Sequence, residues 1–220
     1  MKKIKYTTNF FIFFMFVLLG GGLPNLVQAH PHIFISMKQK ILFTPDGRLE
    51  AISHEWLFDE GYSAFAVQGL DPKRDGVIPP EILKALAKSN AEAMAEYDYF
   101  TFIKANGHKI ELGDPRDYDF SYSDKKLVFR VTLPIKQPIN PPKTTIFEIS
   151  DPTYFIAFSY PDGPDPVTLA NDIKGCKINI VKPPTDPQPT QRLDESYFNS
   201  LGKSSTIGLQ FASRIIMVCP

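Results

Sequence analysis

Residues 28–36 read Gln28-Ala29-His30-Pro31-His32-Ile33-Phe34-Ile35-Ser36, two imidazoles separated by one proline. In an extended chain, side chains two apart share a face, so His30 and His32 offer nitrogen donors to one ion. Imidazole suits copper, nickel, cobalt or zinc rather than calcium or magnesium. The residues ahead of the pair read as a secretory signal. Lys2, Lys3 and Lys5 precede an apolar run from Phe10 to Leu19, which Gly20, Gly21, Gly22 and Pro24 break, and Val27 and Ala29 are small residues suited to cleavage after Ala29. Such a cut would free the α-amino group of His30 and place three nitrogens within one short reach. Pro31 has no amide proton, which excludes an amine–amide–amide–imidazole clamp. The apolar run is about half the roughly 20 residues of a spanning helix. The expected product is therefore an exported, periplasmic chain that does not itself span the membrane.

Other residues compete for a role. Asp71-Pro72-Lys73-Arg74-Asp75-Gly76-Val77-Ile78-Pro79-Pro80-Glu81-Ile82 follows part of the EF-hand frame, with Asp71, Asp75 and Gly76 at its first, fifth and sixth positions. Lys73 puts an ammonium where an oxygen ligand belongs, and Ile82 occupies the closing position, with Glu81 one residue early. The loop is expected to keep the EF-hand shape and to bind calcium poorly. Glu55 and Asp59 could complete a shell around the histidines if the first two strands pair. Ser63 lacks the glycine pattern of a nucleophile elbow. His54 reads as a half-buried strand residue and His108 as a turn residue. No acid–base pair emerges, and an enzyme is not expected.

These residues need a scaffold, and the periodicity supplies one. His32–Phe43 alternates as a strand, Thr44-Pro45-Asp46-Gly47 is a turn, and Arg48–Phe58 returns. A helical hairpin is expected over about 59–97. A short helix follows Asp59 and ends at Gly69, and a second begins at Pro80 with an apolar stripe of Leu83, Leu86, Ala87, Met94 and Tyr97. Further strands are expected at 99–104, 109–112, 117–122, 126–133, 144–150, 154–160 and 176–181, with Asn106-Gly107 as a hairpin turn. Residues 183–206 read as a proline-rich linker, and 207–220 as a C-terminal strand or short helix. The class expected is mainly β, an antiparallel β-sandwich-like core over 30–182 with an inserted EF-hand-like helical hairpin.

Composition sets outer bounds. Lysine plus arginine and aspartate plus glutamate each number 24, and loss of Lys2, Lys3 and Lys5 leaves a slight acidic excess. No basic stripe exists, so nucleic acid is not an expected partner. The two cysteines, Cys176 and Cys219, are expected to pair in an oxidising compartment, closing a loop worth roughly 3–4 kcal/mol.

The start His30-Pro31-His32-Ile33-Phe34-Ile35, Glu55-Trp56-Leu57-Phe58-Asp59-Glu60 with Tyr62-Ser63, the 71–81 loop, Glu96-Tyr97-Asp98-Tyr99-Phe100, Asp151-Pro152-Thr153-Tyr154 and Gly175-Cys176 together resemble the bacterial domain-of-unknown-function family 1007. Its members are usually labelled periplasmic components of an uncharacterised ABC-type transport system, and they often accompany nickel/cobalt-type membrane transporters. The resemblance implies transition-metal handling beside such a transporter. A two-lobed α/β solute receptor is not implied, because this chain is too short and too rich in strands. Two expectations stand: an exported accessory protein that binds or presents a divalent transition metal to a membrane transporter, or a metal-free module that docks on one.

Overall fold

The computed structural model describes residues 30–73, 75–141, 143–170, 173, 175–183, 200–202 and 204–220. The expected signal (1–29) and most of the expected linker (183–206) lie outside the described residues. The fold is mainly β; the described residues form eleven strands in two sheets with few helices.

Strands β1 (Ile33–Phe43) and β2 (Leu49–Phe58) form the expected hairpin. Ile33, Ile35, Met37, Ile41 and Phe43 point inward from β1 while Phe34, Lys38 and Lys40 face solvent, as strand alternation requires. The Thr44–Gly47 turn closes with Gly47 N–H donating to Thr44 C=O at 2.9 Å, and Gly47 takes φ +83°.

Helix α1 (Glu60–Ala66) follows directly, and helix α2 (Pro80–Ala93) packs on β5 with Ala87 and Ala91 buried. The helical stripe stops sooner than its spacing implies. Residues Met94–Phe100 form a 3₁₀ segment that turns left-handed at Asp98, Tyr99 and Phe100, so Tyr97 leaves the helix face.

Strands β3 (Thr101–Ala105), β4 (His108–Ile110), β5 (Arg116–Ser123), β6 (Lys126–Ile139), β7 (Thr144–Ile149), β8 (Ile156–Ser159), β9 (Val167–Leu169), β10 (Lys177–Val181) and β11 (Arg214–Val218) complete the sheets. Asn106 and Gly107 both have positive φ, the geometry of a tight β3–β4 hairpin. The first sheet runs β5-β6-β2-β1-β8, with β9 also on β1; the second runs β10-β11-β7-β3-β4. The first sheet is mixed, because β8 and β9 pair parallel to β1. The stretch from 207 is both helix and strand: a 3₁₀ turn at Ile207–Gln210, then β11 seated between β10 and β7.

The inner faces meet in one core, in which Trp56 of the first sheet lies 5.1 Å from Phe158 and 6.4 Å from Phe100 between ring centroids. On the outer face Lys38, Glu55, Arg130 and Asp119 form a cross-strand ladder of ion pairs 2.9–3.9 Å long. Cys176 and Cys219 are disulfide-bonded, with Cα atoms 4.1 Å apart.

Candidate functional site

His30 and His32 stand at the mouth of β1, joined by Pro31 through a cis peptide. Their ring centroids are 4.6 Å apart, closer than the two-residue spacing of an extended strand gives. The Phe155 carbonyl accepts from both His32 N–H (2.9 Å) and Ile33 N–H (3.2 Å), which holds the pair against the start of β8. The Phe155 ring lies 4.7 Å from the His32 ring and 5.9 Å from the His30 ring.

Beside the pair opens a cleft of about 330 Å³. Its walls come from segments far apart in sequence: His30; Tyr97 and Phe100; Asp151, Thr153, Phe155 and Ile156; and Leu201. Three of the motif segments singled out in the sequence therefore converge on one place.

Each wall has an identifiable support. Asp151 is buried, and its carboxylate accepts from Thr153 N–H and Thr153 O–H at 2.8 Å each and from Ile156 N–H at 3.0 Å. Aspartate ahead of a turn commonly binds the backbone two residues on, so the Asp-Pro-Thr order held a legible signal. Tyr154 sits left-handed at φ +60° and stacks on Phe211, with centroids 3.9 Å apart. The 3₁₀ turn at 207–210 presses on the same segment. Gly208 N–H donates to Pro152 C=O at 3.2 Å, and a Cβ on Gly208 would lie 1.7 Å from the Asp151 carbonyl oxygen.

The opposite wall hangs on a buried histidine. His54 on β2 approaches Gln39 Nε2 at 3.4 Å and Thr101 Oγ1 at 3.2 Å, and Thr101 O–H donates to Tyr99 C=O at 3.0 Å. This relay crosses from the first sheet to the second and fixes the left-handed run 98–100. Three consecutive non-glycine residues in that region cost of order 1–3 kcal/mol each and persist only where surroundings dictate them. Burial pushes the His54 pKa down to about 3, so the ring is neutral at ordinary pH and serves as a hydrogen-bonding wedge. The sequence placed His54 on a strand; full burial across the sheet interface was not visible there.

The remaining candidates go elsewhere. Asp59 caps α1, its Oδ1 accepting from Tyr62 N–H and its Oδ2 from Phe34 N–H, both at 2.9 Å. Glu55 faces Lys38 across the hairpin and pairs with Arg130, six residues or roughly 20 Å along β1 from His32. Ser63 is buried, donating to Asp59 C=O at 2.6 Å and accepting from Leu127 N–H at 3.0 Å, which ties α1 to β6. In the 71–82 loop, Asp71 accepts from Gly76 N–H at 2.7 Å and Asp75 from Val77 N–H at 3.0 Å, while Glu81 sits exposed in the first turn of α2. Among the described residues, no three His, Cys, Asp or Glu side chains gather as a group that could hold an ion. Also among them, no helix is long and apolar enough to cross a membrane.

A two-sheet β protein with an imidazole pair fronting a convergent cleft is the class that fold and site define. The chain belongs to the family described as protein of unknown function (DUF1007), whose family model matches residues 15–219. No curated protein matches the chain.

Proposed function

We propose that this protein is an exported periplasmic accessory factor that binds a divalent ion of the nickel, cobalt, zinc or copper class. It would present that ion to a membrane transporter of the nickel/cobalt or ABC type. One observation carries the reading: two imidazoles 4.6 Å apart at the edge of a cleft that remote segments converge to build. Nitrogen donors select late first-row ions, and cleavage after Ala29 would add the His30 amine as a third. An amine has a reference pKa near 7.7–8.0, so metal must displace its proton at neutral pH and affinity rises with pH.

The test is calorimetric titration of chain beginning at His30 against chain carrying one extra N-terminal residue. The native-start protein should bind nickel or zinc about tenfold or more tightly, a difference of about 1.4 kcal/mol, and His32→Ala should weaken binding independently. Equal binding by both chains rejects the amine donor.

A second reading has its own support. Phe34 is 55% exposed and Phe65 is 73% exposed, and aromatic side chains are enriched where protein surfaces meet. If neither chain binds metal, a docking module for a membrane partner takes over.

A further inference from the structure

The cleft beside His30 has a volume of about 330 Å³, at the small end of the roughly 300–1,000 Å³ of organic-ligand pockets. Aromatic rings from two separate segments line it. Tyr97 stacks on Phe100 with centroids 5.4 Å apart and planes 17° from parallel, and Phe155 comes from the residue ahead of β8. Tyr97 and Phe155 are 37% and 43% exposed, so both rings keep surface open to a ligand. Asp151 adds a carboxylate, and the described residues that line the cleft include no Lys or Arg. That carboxylate belongs to a residue 4% exposed, and three donors already occupy it: Thr153 N–H and O–H on Oδ1, and Ile156 N–H on Oδ2. A carboxylate has about four acceptor positions, so Asp151 offers charge but little further hydrogen bonding.

We infer that the cleft binds a small methylated ammonium compound, a cation with a choline-like head. The inference is independent of the metal-binding reading and asks nothing of either imidazole. Two features attract a cation here. A ring face carries the negative part of the aromatic quadrupole, and cages of such faces hold quaternary ammonium groups. A buried carboxylate adds to the attraction, because its field is screened less than that of a charge in open water. The occupied oxygens then choose among cations. A primary ammonium brings three N–H donors that need acceptors, and a donor left unpaired in a closed site is costly. Methyl groups remove that demand and leave the charge. The walls are also fixed in advance, the Asp151 turn by its three bonds and the Tyr97–Phe100 segment by Thr101 O–H donating to Tyr99 C=O at 3.0 Å. Walls already in place reduce the ordering cost of binding.

The test is calorimetry on the full chain in mildly alkaline, metal-free buffer, with choline as probe. Two comparison probes are ethanolamine and the uncharged isostere of choline, in which a tert-butyl group replaces the trimethylammonium. Choline should bind about tenfold more tightly than either. Tyr97→Leu and Phe155→Leu keep apolar bulk but remove a ring. Each should weaken choline binding about threefold to tenfold, with a smaller effect on the isostere. Asp151→Asn should bring choline down to the isostere's level, and if that variant does not fold, the two ring variants decide alone. Equal binding of choline and its isostere would leave only an apolar pocket and overturn the cation reading. Ethanolamine binding as tightly as choline would overturn the choice of a methylated head, and absence of choline binding would overturn the site. Phosphatidylcholine vesicles distinguish the source of the head. Cosedimentation that free choline reverses assigns it to a lipid, and choline binding without cosedimentation assigns it to a free solute.

Discussion

The cleft at His30 and the loop at 71–82 were both candidate ion sites, and they are built in opposite ways. The loop is assembled from neighbours in sequence, its two aspartates accept from backbone N–H groups within a few residues, and it stands in solvent. The cleft draws on residues from 30 to 201, and left-handed non-glycine backbone at Asp98, Tyr99, Phe100 and Tyr154 forms or flanks its walls. The contrast teaches that a motif's completeness in sequence is a poor guide to where a fold concentrates constraint. Strained backbone and buried polar groups mark the cleft, and neither is dense at the loop.

Perturbing the two regions in parallel sharpens that contrast. The largest effect should come from acid. Unfolded His54 titrates near pH 6.5 while the folded ring titrates near 3, so below 6.5 the unfolded chain holds the extra proton. Stability should then fall by up to about 1.4 kcal/mol per pH unit between 6.5 and 3. His54→Gln should remove that part of the slope in urea melts, whereas substitutions in the 71–82 loop should not.

Glycine replacement comes next. Gly208→Ala drives a methyl into the Asp151 carbonyl and should cost about 3 kcal/mol. Gly76→Ala has open space, with only its φ of +82° to oppose it, and should cost about 1 kcal/mol. Equal shifts in thermal midpoint would erase the contrast.

Thr101→Val breaks the relay between His54 and Tyr99 at similar volume. About 1–3 kcal/mol should be lost, and amide exchange should quicken at 98–100 but not at 71–82. The smallest stability effect belongs to Lys73→Asp combined with Ile82→Glu. These changes should raise calcium affinity above that of the unaltered loop, read by calorimetry, with little change in stability. Submillimolar calcium binding by the unaltered chain would show that the loop's missing ligand and added ammonium matter less than argued.

Local chemistry was legible and distant chemistry was not. The β1–β2 hairpin followed from alternation and a turn sequence, α2 from its stripe, and the disulfide from an isolated cysteine pair. The parallel pairings of β8 and β9 with β1 were hidden, because three- or four-residue strands carry too little periodicity to name a partner. Tyr97 sat on a helical stripe that the left-handed run interrupts, a tertiary override of local pattern. His30 and His32 were readable by type and spacing. Asp151, Phe155 and Leu201 were not recognised as cleft walls, since only the folded sheets bring them beside His30.

The disulfide has a covalent consequence that folding energetics does not describe. Cys176 and Cys219 bracket both β10 and β11, which lie side by side in the second sheet. A protease that cuts once between Val181 and Arg214 would break the chain yet release no fragment, since the bond and five paired positions still hold β11 in place. After such a cut Gly208 and the cleft it supports remain attached until a reductant separates the pieces.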